Sequence, residues 1–312
     1  MLPTERRIVE DRSGNAFRLD PIDCPTCGPA PKRELGRRGG AHHRYGLGVT
    51  STIVRCGRCS LLFPDPLPVP LNPQALYSDP VAYFARHPEA RRIPEYRALT
   101  RELLSRTSLA HPSILDVGSG RGDFVVAAKQ EGVTNVVGLE LSQAMIDYAR
   151  SQHRVELKRA TLEDYAATAR QKFDAVVLNA IIEHVYNPDA FVASAASLLV
   201  PGGVLHIDTP RDPNLLTWIG NASNRARGQR VVFNLSPTWP PYHLFGFTPA
   251  SLRALLKKHG FAIESVRVHN DPTIPTHGGA GDRLRSGIGT LILRVGNWTS
   301  TGSNMFVWAR RS

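Results

Sequence analysis

The sequence predicts an α/β fold with a mostly parallel β-sheet, preceded by a small metal-binding module. Two observations support this prediction: a strand–glycine turn–helix–strand pattern over residues 113–140, and two Cys-x-x-Cys pairs within residues 24–59. The chain has 312 residues, of which 42% are hydrophobic, so it can bury one α/β core and a small module besides.

The two Cys-x-x-Cys pairs use all four cysteines of the chain: Cys24, Cys27, Cys56 and Cys59. Two such turns can present four thiolates tetrahedrally to one zinc ion, and four protein ligands leave no open position for a substrate. We therefore predict a structural zinc. Disulfides or free thiols are the alternative, although the charged residues 1–11 lack the apolar segment of a secretory signal. His42 and His43, between the pairs, are expected at the surface.

Prolines mark the segment that follows the second cysteine pair. Residues 61–80 contain six of them, which favours a stiff and extended connector. We predict a zinc-binding module over 1–62 and a connector with N-terminal helices over 63–110. The main α/β domain is predicted over 111–312, with a lid over a ligand site at 211–247 and a flap or subunit contact at 271–289.

The pattern at 113–140 is an apolar strand that ends at three alternating glycines, a helix, and a second apolar strand that ends on Glu140. Such a unit binds a ribose-containing cofactor across the carboxyl ends of parallel strands. Glycines are needed because a side chain in the turn would keep the ligand away from the backbone N–H groups. Glu140 is placed to accept hydrogen bonds from two ribose hydroxyls.

The spacing of the glycines separates two kinds of cofactor. A dinucleotide fingerprint reads G-x-G-x-x-G, whereas this chain has Gly118, Gly120 and Gly122, with Asp116 two residues before the first. A carboxylate there would repel a diphosphate but suits the ammonium group of a cofactor that carries an amino acid. The pattern therefore favours an amino-acid nucleoside.

The run Leu-Asp-Val-Gly-Ser-Gly-Arg-Gly at 115–122 resembles motif I of the class I S-adenosylmethionine-dependent methyltransferases. The resemblance covers roughly residues 75–312 and implies a Rossmann-like, seven-stranded sheet whose last strand is antiparallel. Thr161 stands at the family's usual aspartate position, so the adenine contact falls to Leu162 and to Glu163 or Asp164. The cofactor-binding residues that the resemblance implies are Asp116, Gly118, Ser119, Gly120, Gly122, Glu140, Leu141, Leu162, Glu163 and Asn179.

Later segments agree with the same family. A fourth strand over 172–179 leads into Ile-Ile-Glu-His-Val at 181–185, which is similar to the segment beneath the methyl-transfer site of small-molecule members. Asn187 and Pro188 are typical of a helix start, and we expect this helix to end before the Pro-Gly-Gly at 201–203. Strands over 204–208, 261–268 and 305–309, with a helix over 249–259, complete the predicted sheet.

Two histidines are candidates for a catalytic base. The segment His-Leu-Phe-Gly-Phe-Thr-Pro at 243–249 resembles one found in small-molecule methyltransferases, among them zinc-containing sugar C-methyltransferases, and implies His243 as the base. His184 is the second candidate. Imidazole is suited to proton removal near neutral pH. Tyr77, Tyr83 and Tyr242 are expected to help orient the substrate.

Charge is unevenly distributed along the chain, whose formal net charge is +11. Residues 1–60 carry 11 basic and 6 acidic side chains and residues 211–312 carry 13 and 4, whereas residues 111–210 carry 8 and 12. Basic flanks would attract an anionic partner, either nucleic acid or a substrate with a phosphate or nucleotide handle. The alternative is a set of solvated arginines.

The function that these features favour is S-adenosylmethionine-dependent methylation of a small molecule, a sugar or a natural-product scaffold, at oxygen or carbon. RNA-base methylation is the alternative, because some such enzymes also carry a four-ligand zinc module. A non-catalytic scaffold is a third hypothesis. The chain stops soon after its last strand, unlike the sugar C-methyltransferases, which leaves oxygen and nitrogen acceptors open. A cytoplasmic location and no membrane partner are expected, since no apolar run approaches 18 residues.

Overall fold

A computed structural model describes residues 7–42, 48–73, 89–235, 243–270 and 290–312. The strands are β1 Ile8–Glu10, β2 Ala16–Asp20, β3 Lys32–Arg38, β4 Ser51–Cys56, β5 Leu62–Pro64, β6 Leu67–Pro70, β7 Ser113–Val117, β8 Asn135–Glu140, β9 Lys158–Arg159, β10 Phe173–Asn179, β11 Leu199–Pro210, β12 Phe261–His269 and β13 Asn304–Arg311. The α-helices are α1 Glu89–Thr107, α2 Asp123–Gln130, α3 Gln143–Tyr148, α4 Leu162–Thr168, α5 Pro188–Leu198, α6 Leu215–Ala226, α7 Pro249–Lys258 and α8 at 290–298.

Seven strands form one sheet in the order β12-β13-β11-β10-β7-β8-β9. β7 pairs in parallel with both β10 and β8, and β8 pairs in parallel with β9. The last strand of the chain, β13, lies between β12 and β11. The predicted Rossmann-like, seven-stranded sheet is therefore confirmed.

The central strands are mostly apolar, as expected for a parallel sheet with helices on both faces. Ile114 and Leu115 of β7 are fully buried, as are residues 175–178 of β10. Phe124 of α2 packs in the same cluster as Ile114 and Ala175. This packing fixes the end of β7, where the glycine turn begins.

The chain divides into two compact units that each draw on several segments. Unit 1 comprises Met1–Leu71, Asp208–Ala254 and Ser265–Phe306, and unit 2 comprises Asn72–Ile207, Leu255–Glu264 and Val307–Ser312. Unit 1 contains two further sheets, β1-β2-β6 and β3-β4-β5. The functional division into module, connector and catalytic domain stays a prediction.

Within unit 1, part of the predicted lid pairs with the sheet that carries the second cysteine pair. Arg37 of β3 and Val231 form a parallel bridge, and Leu62 of β5 and Gly246 form an antiparallel bridge. Val232 and Leu235 join Ile53 and Leu62 in one buried apolar cluster. Val231 and Gly246 thus pair with the two edge strands of a sheet that begins about two hundred residues earlier in the chain.

No α-helix among the described residues is both long enough and apolar enough to cross a lipid bilayer.

Candidate functional site

The glycine turn lies between β7 and α2 in unit 2. Gly118 and Gly122 have φ angles of 71° and 81°, a left-handed conformation that side chains disfavour. A Cβ atom at Gly118 would lie 2.9 Å from Ile181 Cδ1, and one at Gly122 would lie 2.8 Å from Val155 Cγ2. Both the backbone conformation and the space therefore require glycine at these two positions.

Asp116 is the buried carboxylate beside this turn, with only 2% of its surface exposed. Its Oδ2 atom has no hydrogen-bond partner among the described residues. The pKa of this carboxyl group is raised to about 7, mainly by burial; Ser119 and Arg92 lower it, and the charges of Glu140 and Asp123 raise it. A buried carboxylate oxygen without a partner fits an ammonium group, as the sequence predicts.

Glu140 is the last residue of β8, and its side chain contacts the glycine turn. Its Oε2 accepts a hydrogen bond from the Gly120 N–H at 2.8 Å, and its Oε1 accepts from the N–H groups of Leu141 and Ser142. Burial raises the pKa of Glu140, and these three backbone donors counteract it. A carboxylate has about four lone-pair sites, so Glu140 keeps acceptor capacity for the cofactor beside these three donors, and its contact with two ribose hydroxyls stays a prediction. Beside it, Leu141 is 45% exposed.

Two further predicted residues lie at or near the end of the neighbouring strands. The Ser119 hydroxyl donates to the carbonyl oxygen of Asp116 at 3.1 Å. Asn179 ends β10, which pairs with β7, and its buried Nδ2 has no acceptor among the described residues. Asp116 and Asn179 therefore offer one unused buried acceptor and one unused buried donor, which fit a polar cofactor such as S-adenosylmethionine.

The residues predicted to contact adenine, Leu162 and Glu163 or Asp164, lie at the start of α4. Thr161, which replaces the family's aspartate, caps this helix by accepting a hydrogen bond from the Asp164 N–H at 2.9 Å. Leu162 is buried, Glu163 is half-buried and Asp164 is exposed. Burial raises the pKa of Glu163. Of the two acids, Glu163 is therefore the better placed to lie against a ligand.

The two histidine candidates belong to different units. His184 follows β10 in unit 2, where its N–H donates to the Ile181 carbonyl oxygen and its Nε2 lies 3.8 Å from Oε1 of Glu183. Glu183 is 1% exposed. His243 belongs to unit 1, where its carbonyl oxygen accepts a hydrogen bond from Arg38 Nη2 at 3.1 Å.

The four cysteines converge in unit 1. Their sulfur atoms all lie within 4.8 Å of one another, with Cys24 and Cys59 3.6 Å apart. None of the four is in a disulfide. Four thiolates around one zinc ion with Zn–S bonds of about 2.3 Å would be about 3.8 Å apart, so the cluster fits a tetrahedral metal. The hydrogen bond with Cys59 lowers the pKa of Cys24 to about 5. His42 is not part of the cluster.

A buried charged network beside the glycine turn was not predicted. Arg121, in the middle of the turn, lies 2.9 Å from Oδ2 of Asp123, and Arg92 lies 3.5 Å from the same oxygen. His153 lies 3.5 Å from Oδ1 of Asp123. The network ties the turn to α1 and to the π-helical residues 149–153. Its only signal in the sequence is a pair of opposite charges on either side of Gly122.

Several predicted features lie outside the described residues: His43, Tyr77, Tyr83, Tyr242, residues 236–242 of the lid and the segment 271–289.

Comparisons with known proteins show the family to which the chain belongs. A family model described as a methyltransferase domain matches residues 88–266. The ubiquinone biosynthesis O-methyltransferase of Thiobacillus denitrificans is 36% identical over 167 residues, covering 52% of this chain and 69% of that protein. The protein of the same description from Xanthomonas euvesicatoria pv. vesicatoria is 30% identical over 168 residues, covering 52% and 67%.

Among solved structures, one match is a chain from the complex between the Haloferax volcanii Trm112 methyltransferase activator and a methyltransferase. It is 13% identical, with a TM-score of 0.51, over 75% of this chain and 97% of that one. At this level of identity the match supports the fold alone.

The pKa of Asp116 predicts how cofactor binding depends on pH. Because its pKa is about 7, the carboxylate is charged above that pH and can pair with an ammonium, whereas below it a proton must first leave. We expect the affinity for S-adenosylhomocysteine to fall about ten-fold for each pH unit below 7. Calorimetric titrations on both sides of pH 7 would measure this, and a flat profile would contradict it.

Proposed function

Because the chain belongs to the methyltransferase family and is an S-adenosylmethionine-dependent enzyme, we propose that it transfers a methyl group to an oxygen atom of a small molecule, with a histidine as the base. The observation that carries this proposal is the buried Glu183 beside His184 at the carboxyl end of β10.

An oxygen acceptor is supported by two observations. The matched proteins from Thiobacillus denitrificans and Xanthomonas are described as O-methyltransferases. Residues 179–182 read Asn-Ala-Ile-Ile, whereas amino-group methyltransferases of DNA and many of RNA carry (D/N)-P-P-(F/Y/W) there. A hydroxyl acceptor starts protonated, so its methylation calls for a base in the protein.

The residues of unit 2 divide the work of holding the cofactor. S-adenosylmethionine supplies a methyl group activated by the positive sulfur to which it is attached. Asp116 would hold the ammonium group, Glu140 would accept hydrogen bonds from the ribose hydroxyls, and Glu163 would lie near adenine. The glycine turn lets the cofactor approach the backbone closely, so the protein contributes mainly orientation and proton removal.

Of the two histidines, His184 has the stronger support as the base. A carboxylate 3.8 Å from its Nε2 favours the protonated imidazole and therefore makes the neutral ring a better proton acceptor. Because Glu183 is almost fully buried, its attraction for a positive charge is weakly screened. His243 stays the second candidate, on the resemblance of its segment alone.

We expect His184→Gln to lower kcat about 100-fold, since general base catalysis typically contributes at least that much. Its affinity for S-adenosylhomocysteine should not change, because the substitution removes no group proposed to hold the cofactor. The measurement requires an acceptor, found by screening hydroxylated small molecules with labelled cofactor and mass spectrometry.

Two further variants are needed to interpret the effect of His184→Gln. His243→Gln is tested in parallel, and a 100-fold loss in that variant alone would transfer the role of base to His243. His111→Gln is the matched control, because His111 is exposed and lies before β7, at the opposite end of this strand from the glycine turn. Full activity in both His184→Gln and His243→Gln would disprove a histidine base.

We further propose that the four cysteines of unit 1 hold a zinc ion with a structural role. The convergence of four sulfur atoms supports this, because sites built from four cysteine thiolates are typical of structural zinc. All four ligand positions would be filled by protein, so no step of the methyl transfer would pass through the metal.

A further inference from the structure

Helix α6 in unit 1 turns its polar side inward. Asn214 caps it in a capping box with Thr217. One and two turns further on, the Asn221 Nδ2 donates to Asn234 Oδ1 at 2.6 Å, and the Asn224 Nδ2 donates to the Val231 carbonyl oxygen at 2.9 Å. Asn221 and Asn224 are the residues of α6 that are buried. A surface helix normally does the reverse and buries its apolar side.

The apolar residues of α6 are consequently exposed. Leu216, Trp218 and Ile219 all face solvent, with Trp218 64% exposed. Phe233 extends this surface: a Cβ atom at Gly220 would lie 2.6 Å from Phe233 Cδ2, yet the phenyl ring is part of a residue that is 54% exposed. An exposed group of large apolar residues of this kind marks an interaction surface.

Helix α8, also in unit 1, carries a second exposed apolar stripe. Leu291, Val295 and Trp298 are exposed at positions i, i+4 and i+7, which places them on one face, and Trp298 is 88% exposed. The opposite side is anchored by the buried Leu293. The two helices are joined through residues 299–303, where the Thr301 carbonyl oxygen accepts from the Leu215 N–H at 3.0 Å.

Arginines flank both stripes. Arg225, Arg227 and Arg230 follow the apolar part of α6 and Arg294 lies within the stripe of α8, and all four are exposed. None of the four has an ion-pair partner among the residues that the structure describes. The sequence has no aspartate or glutamate from 213 to 263 or from 290 to 312.

An acidic side chain of unit 1 shares a cavity with two of these arginines. Glu34 lines a cavity of about 420 Å³ together with Arg225, Gln229 and Arg230. Because two guanidinium groups and one carboxylate line it, the cavity has a net positive charge.

From this arrangement we infer that α6 and α8 form a docking surface for an anionic lipid bilayer. Tryptophan and aliphatic side chains enter the interface between headgroups and acyl chains, while neighbouring arginines pair with lipid phosphates. A helix that lies in this interface needs no membrane-spanning segment. The sequence analysis predicts no membrane partner, because no apolar run is long enough to span a bilayer. The apolar residues of α6 and α8 give no such run, since they are spread over two short helices.

Two other occupants fit the surface less well. A second copy of the chain in a two-fold dimer would place the same arginines against one another. Nucleic acid would use the arginines and stack bases on tryptophan, but leucine, isoleucine and valine have no aromatic face for stacking. A bilayer uses both the aliphatic and the basic residues.

The test is flotation of the 312-residue chain with vesicles of phosphatidylcholine and phosphatidylglycerol, against vesicles of phosphatidylcholine alone. We expect binding to the anionic vesicles, weakened by salt. The double variant Trp218→Ser with Trp298→Ser should reduce partition at least about ten-fold. The triple variant Arg225→Gln, Arg227→Gln, Arg230→Gln should reduce it roughly 100-fold.

Matched controls come from exposed residues of unit 2. The triple variant Lys129→Gln, Arg154→Gln, Arg170→Gln removes the same charge, and Leu109→Ser removes an exposed apolar side chain. Both should bind vesicles as the wild type does. Thermal unfolding of each variant confirms that loss of binding is not loss of fold. Neither vesicle flotation nor thermal unfolding depends on methyl transfer, so this inference and the proposed function can fail separately.

Four outcomes would overturn the inference. They are absence of vesicle binding, equal loss of binding in the control variants, concentration-dependent dimerisation that the tryptophan variant abolishes, and binding to RNA in place of vesicles. Iodide quenching of tryptophan fluorescence provides a second test, which needs no lipid. If Trp218→Phe and Trp298→Phe leave the quenched fraction unchanged, these rings are already covered and no bilayer docks there.

Discussion

Replacing Asp116 by asparagine is expected to weaken the binding of S-adenosylhomocysteine about 1,000-fold at pH 8. Removing one partner of a buried charge pair costs about 3–5 kcal/mol, because the other charge is left without compensation. Asparagine has nearly the size of aspartate, so the glycine turn beside it should keep its shape. The amino-acid end of the cofactor would lose its buried anionic partner.

The same variant should be more stable than the wild type in the absence of cofactor. Burial raises the pKa of Asp116 to about 7 from an ordinary value of 3.8, so the folded protein disfavours the charged carboxylate. The free energy of unfolding therefore falls as the pH rises from about 4 to about 7, by about 4 kcal/mol at 1.36 kcal/mol per pH unit. Asparagine cannot ionise, so this contribution should vanish.

The two effects of Asp116→Asn have opposite signs, which distinguishes a binding role from damage to the fold. Calorimetry gives the affinity, and thermal unfolding without cofactor at pH 5 and pH 8 gives the stability. Asp174→Asn is the matched control: its Oδ2 accepts hydrogen bonds from the N–H and hydroxyl of Ser113, at the opposite end of the sheet from the turn. That variant should lose stability and keep its affinity. Unchanged affinity in Asp116→Asn would refute the assignment of the ammonium site.

The sheet and the glycine turn could be predicted from sequence because their signals are local. Alternation of apolar strands with helices fixes a parallel sheet, and the carboxyl ends of its strands necessarily meet along one edge. Asp116, Glu140 and Asn179 each end a strand or lie next to such an end, so their positions along the chain already imply their neighbourhood in space. The convergence of the four cysteines could be predicted for a similar reason: each Cys-x-x-Cys turn is a local signal, and one metal ion can bind both turns.

Other features depend on pairings that leave no local mark. Nothing near Arg37 indicates that its strand will pair with Val231, almost two hundred residues further on. Helix α6 lies within the predicted lid, and the burial of its asparagines could not be foreseen, because their partners Asn234 and Val231 lie beyond a turn of irregular backbone. The three backbone N–H groups that donate to Glu140 likewise could not be foreseen, because these contacts depend on backbone geometry and not on residue type.

The zinc site should be the largest single contributor to the stability of unit 1. The β3-β4-β5 sheet has three short strands and a small apolar cluster around Ile53 and Leu62, and a sheet of this size rarely folds without a disulfide or a metal. Structural zinc binding is worth about 10–16 kcal/mol in isolated zinc-binding peptides. We therefore expect Cys56→Ser, or removal of the metal by a chelator, to unfold this sheet.

Metal analysis and hydrogen exchange would measure the effect directly. The wild type should contain one zinc per chain, and cobalt substitution should give the visible absorption of a tetrahedral thiolate site. Cys56→Ser should contain none, and the amides of β3, β4 and β5 should lose protection while those of β7 and β10 in unit 2 keep it, because exchange reports each cooperative unit separately. His42→Ala, between the cysteine pairs but outside the cluster, should retain its zinc. A wild-type protein without metal whose β3–β5 amides are nevertheless protected would mean that apolar packing alone holds the sheet.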